Sequence, residues 1–135
     1  MHMNRSVRKL GIFAFAAIAA GVAIGAEEAP PEHQKWMKDL GNQMGGLRKG
    51  VDVEKNATEM QAVMKDVTAF WSKRTSDVAV KTSNDTVAGA AEVVKAAQSG
   101  DKAALSAGMK LIGAGCKGCH DVHREKVAEN VYRIK

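Results

Sequence analysis

No stretch of the sequence alternates apolar with polar residues as a half-buried strand would, so a sheet-based architecture is not expected. Aromatic residues make up only 4% and are not interleaved with Lys and Arg, which removes the stacking platform that a nucleic-acid groove needs. Internal repeats, low-complexity tracts, Gly-rich phosphate loops and Ser/His/Asp constellations are also missing, and Glu32, Asp39 and Asp66 do not form a carboxylate pair by spacing. Catalysis is therefore not expected. Proline occurs only at Pro30 and Pro31, and cysteine only at Cys116 and Cys119.

What is present begins with an export signal. Arg5, Arg8 and Lys9 lead into an uncharged run, Leu10 to Ala26, that ends in the small residues Ala23, Gly25 and Ala26. Basic residues hold such an n-region on the cytoplasmic side while a short apolar helix enters the translocon, and small residues expose a cleavable bond. The reading is a signal peptide over residues 1–26, cut near Gly25 or Ala26, and one domain over 27–135. An uncleaved run would be the chain's one tie to a membrane. Without its three basic residues the formal charge falls from +5 to +2. A charge that weak gives no hint of a strongly acidic or basic partner.

The remainder reads as four helices. The first runs from Glu32 to about Lys49, with Met37, Leu40, Met44 and Leu47 along one stripe and Pro31 in its first turn. The second begins near Glu54 or Asn56 and carries Met60, Val63, Met64, Val67, Phe70 and Trp71 as far as Arg74. Thr75 to Ser83 is polar and β-branched, so Ser83, Asn84 or Asp85 is expected to cap a third helix on Val87, Ala90, Ala91, Val94 and Ala97. Asp101 opens the fourth, whose stripe takes in Leu105, Met109, Ile112, Cys116, Cys119, His120, His123 and Val127. Short turns between them predict an all-α, antiparallel up-down-up-down four-helix bundle.

The fourth helix carries the chemistry. Cys116-Lys117-Gly118-Cys119-His120 is the C-x-x-C-H signature of c-type haem attachment. Two thiols one turn apart reach the two vinyl groups on one porphyrin edge, and the adjoining imidazole faces the iron. A redox Cys-x-x-Cys belongs beside a βαβ pattern, which is missing, and four zinc ligands on one helix cannot all point at one metal. Haem outweighs both. The expected cofactor is one covalent haem c, with His120 as the proximal iron ligand.

Cys119-His120-Asp121-Val122-His123-Arg124 resembles the Cys-His-x-x-Phe-Arg run of the class II c-type cytochromes, the cytochrome c-prime family. The resemblance implies a four-helix bundle with the motif on its last helix and a contact between Arg124 and a haem propionate. His123 replaces the usual Phe and is expected to fill the aromatic's place. In low-spin relatives a methionine on the first helix binds the iron within a run similar to Met37-Lys38-Asp39-Leu40-Gly41, followed here by Met44. The resemblance thus implies Met37 as distal ligand, and His33, in the first turn, is expected to be solvated. Trp36 and Trp71 are expected to pack against helices or the haem face.

Occupancy of the sixth iron position separates two functions. A His120/Met37 haem is a periplasmic electron carrier serving redox partner proteins. A five-coordinate iron binds nitric oxide or carbon monoxide instead. Many relatives dimerise through their first two helices, but the short loops here give a homodimer no independent support.

Overall fold

The computed structural model describes residues 25–135, so the signal-peptide reading lies outside the described residues apart from Gly25 and Ala26. Four helices follow one another: α1 (Pro31–Lys49), α2 (Val53–Lys73), α3 (Asp77–Ser99) and α4 (Lys102–His123). Among the described residues no helix is long and apolar enough to cross a membrane.

Local chemistry sets the boundaries. Pro31 opens α1, where a missing N–H costs no intrahelical bond. Gly50 and Gly100 close α1 and α3 in the left-handed region, at φ 67° and 70°. Ser76 Oγ accepts the Ala79 N–H at 3.2 Å, and Asp101 Oδ1 accepts the Ala104 N–H at 2.9 Å. Each cap satisfies an amide that the first turn leaves without a partner. The short connections make sequential helices antiparallel neighbours, and the four-helix bundle is as expected.

Two boundaries differ from expectation. Helix α3 starts at Asp77, well before Ser83, because its first turns are buried by small and hydroxylated residues rather than apolar ones. Ala79, Ser83 and Thr86 are each at most 1% exposed. Thr82 and Thr86 donate to the carbonyls of Val78 and Thr82, at 2.8 and 3.0 Å, so their hydroxyls enter a helix interface already satisfied. The buried row continues through Gly89, Ala90, Val93 and Ala96, with Val87 and Val94 at its margin.

Helix α4 ends at His123, and Val127 lies on a strand. A hairpin of β1 (Arg124–Ala128) and β2 (Val131–Ile134) pairs Arg124 with Ile134 and Lys126 with Tyr132. A bulge at Val127 and a left-handed Asn130, φ 56°, turn the chain. Glu27 adds a single bridge: its N–H donates to Ile134 O at 2.8 Å, and Ile134 N–H donates back at 2.9 Å. Ile134 is the strand residue that enters the core, at 5% exposure.

The helices pack in series, α1 on α2, α2 on α3 and α3 on α4, and no extended close backbone approach joins α1 to α4. The α3–α4 contact is the tightest. A Cβ added to Gly89 would stand 2.8 Å from Ile112 N, and one on Gly108 would stand 3.0 Å from Gly89 O. Gly115 lies equally close to Thr86 and Thr82. Met60, Met64, Val67, Val93 and Ile112 fill the centre.

Candidate functional site

The ends of α1 and α2 nearest Pro31 and Lys73 meet the Asp77 end of α3 and the His123 end of α4, as antiparallel order requires. Cys116 and Cys119 sit one turn apart on α4, half-buried, with free thiols. Burial pushes both thiols above their ordinary pKa, against the opposing pull of the Thr86 hydroxyl on Cys116 and of Thr82 on Cys119. Both are therefore neutral at pH 7. His120, also half-buried, is held below the usual histidine range by burial first, then by the charge of Arg124 and by His33. A neutral imidazole keeps a ring nitrogen free for a metal.

Met37 lies at the half-buried margin of the hydrophobic core, as do Met44, Cys116 and Cys119. One turn before it is His33, and here the expectation of a solvated side chain fails. His33 is 7% exposed, with its Nε2 buried and without a hydrogen-bond partner. Its ring lies 4.9 Å from that of Phe70, 6.1 Å from Trp71 and 6.2 Å from Trp36. Being in the first turn exposes a residue only if no other helix covers that turn, and the C-terminal aromatics of α2 do cover it. The sequence clue is that His33 precedes Met37 by four positions, on the same stripe.

His123 occupies an aromatic's place against Trp71, with ring centres 4.3 Å apart. It also makes two polar contacts that a Phe has no means to make. Since a carbonyl only accepts, Nδ1–H donates to Lys135 O at 3.0 Å, which leaves Nε2 to accept from Ser76 Oγ at 2.7 Å. Ser76 thereby caps α3 and anchors the end of α4 together. Arg124, the first residue of β1, is exposed and places its guanidinium 4.4 Å from the Tyr132 ring centre.

These residues fit a covalently held haem. Two neutral thiols stand at thioether spacing beside a neutral imidazole, the surrounding margin is apolar, and one buried ring nitrogen nearby lacks a partner. Among the described residues no three His, Cys, Asp or Glu side chains cluster to hold a bare metal ion. In such a site Cys116 and Cys119 would tether the group and His120 would hold its iron.

The family model described as Cytochrome C' matches residues 67–124, from the second half of α2 through Arg124. No curated protein and no solved structure matches the chain. The matched segment contains both cysteines, His120 and the glycine contacts that seat α4 on α3. With its motif on the last helix of a four-helix bundle, the matched segment is similar to the cytochrome c-prime family of class II c-type cytochromes, proteins that carry haem c.

Proposed function

We propose that the protein is a periplasmic electron carrier, not an enzyme, with a single haem c whose iron lies between His120 and Met37. The observation that carries this reading is the shared position of Met37, Cys116 and Cys119 at the margin of one core. Bound there, haem c supplies one-electron exchange at its iron. Cys116 and Cys119 fix the porphyrin edge, and His120 offers a neutral donor nitrogen. The Met37 thioether is a soft donor that favours the ferrous state. Trp36, Phe70 and Trp71 exclude water from the adjoining end of the bundle. Arg124 supplies positive charge near His120, where it suits a propionate.

Export belongs to the same proposal. It rests on the basic residues and apolar run of the first 26 positions, and on the periplasmic habit of the family. Redox proteins are the proposed partners. Binding of nitric oxide or carbon monoxide at a five-coordinate iron is the competing reading, favoured by the lack of close backbone contact between α1 and α4.

Optical spectra of the holoprotein, oxidised and reduced, with and without carbon monoxide, decide between them. A low-spin iron with a methionine-to-iron charge-transfer band that ignores carbon monoxide supports electron transfer. A high-spin iron that takes up carbon monoxide transfers the function to gas binding.

A further inference from the structure

Three buried side-chain atoms among the described residues have no hydrogen-bond partner, Gln43 Oε1, Ser83 Oγ and His33 Nε2, and of these the His33 nitrogen is the one that can donate a lone pair to a haem iron. A buried nitrogen without a partner costs free energy, about 1 to 3 kcal/mol for a neutral group, unless it serves something the protein atoms do not include. Its cage of Trp36, Phe70 and Trp71 contributes no hydrogen bond to it. Four residues separate His33 from Met37, so both lie on one face of α1, about 6 Å apart along the axis at 1.5 Å per residue. His33 is also among the groups close enough to lower the His120 pKa. Helix α1 itself rests on α2 without a close backbone clamp from α4.

We propose that His33 is a reserve axial ligand: when the Met37 thioether leaves the iron, the His33 imidazole takes the sixth position. The exchange makes and breaks one donor bond and moves no electron. Burial, with Arg74 adding its charge, keeps the imidazole neutral and ready to donate. Its effect is to keep the iron closed to small gases after the methionine is gone. The proposal rests on Met37 being the ligand in the native protein.

The test compares haem-loaded wild type with Met37→Leu, His33→Phe and the double variant, by ferric electron paramagnetic resonance and by carbon monoxide titration. Leu keeps the methionine's volume and Phe keeps an aromatic ring in the cage, so both singles preserve packing. Met37→Leu is expected to stay low-spin with a bis-imidazole signature. The double variant is expected to become high-spin and to bind carbon monoxide at least about tenfold more tightly than Met37→Leu. His33→Phe alone is expected to keep the methionine band. A high-spin Met37→Leu overturns the reserve role and leaves Met37 as ligand intact. A wild type without the methionine band that loses its low-spin state in His33→Phe makes His33 the native ligand, and overturns both.

Discussion

The His123 ring lies 4.3 Å from the Trp71 ring, tilted by 33°, and this contact closes the end of α4 onto the end of α2. Ser76 and Lys135 hold the same ring by its two nitrogens, so a single side chain joins α2, the cap of α3, α4 and the residue after β2. His123→Ala removes the stack and both hydrogen bonds, and is expected to lower stability by about 2 to 3 kcal/mol. His123→Phe keeps the stack and should recover roughly half of that. Denaturant unfolding of the three holoproteins measures both.

Glycine substitutions separate close packing from helix propensity. Gly89→Ala gains about 1 kcal/mol of propensity. It also drives a Cβ against the backbone nitrogen of Ile112, where no side chain is free to yield, at a cost of about 1 to 3 kcal/mol. A net loss is expected. Gly41→Ala, at an exposed position of α1 with open space around its Cβ, should instead raise the unfolding midpoint.

Burial, and then the charge of Arg74, lower the His33 pKa below its model-peptide value of 6.5. The unfolded chain therefore binds this proton more readily than the folded one. The contribution is complete above about pH 6.5 and is lost as the pH falls from there through the folded pKa. Unfolding midpoints across that range should decline on acidification, and His33→Phe should flatten the decline. An equal slope in both proteins would assign it to other groups.

Ile134 ties the hairpin to the core and to Glu27 at once. Ile134→Ala is expected to cost about 2 to 4 kcal/mol. Hydrogen exchange at the Glu27 amide should quicken by more than exchange at core amides of α3, because the Glu27 N–H bonds directly to the altered residue.

Helices with apolar stripes were legible in the sequence because one face of each meets a core. The α2 row through Met60, Met64, Val67 and Trp71 is buried as its spacing requires. The Cys-x-x-Cys-His run was plain as a motif, and the structure places it on the last helix as expected. The start of α3 was hidden because Ser83 and Thr86 bury polar side chains, which hydrophobic periodicity does not register; the Thr86 hydroxyl is satisfied by its own helix. Val127 fell into the α4 stripe by spacing alone, although the turn at Asn130 and the bridge to Glu27 draw that segment into a hairpin. His33 was misplaced for a third reason: the aromatics that cover it come from another helix, some forty positions along the chain.

Packing in series has a mechanical meaning if, as proposed, the cofactor is held from two sides. The proposed covalent anchorage belongs to α4, whose backbone approaches that of α3 at glycines too closely to admit a Cβ. The proposed exchangeable donors, Met37 and His33, ride on α1, whose close backbone contact is chiefly with α2. Fixed attachments are thus mounted on the stiff half of the frame and adjustable ones on the compliant half. On the proposed ligation, changes of residue along α1 would retune the iron without disturbing the seat of the porphyrin on α4.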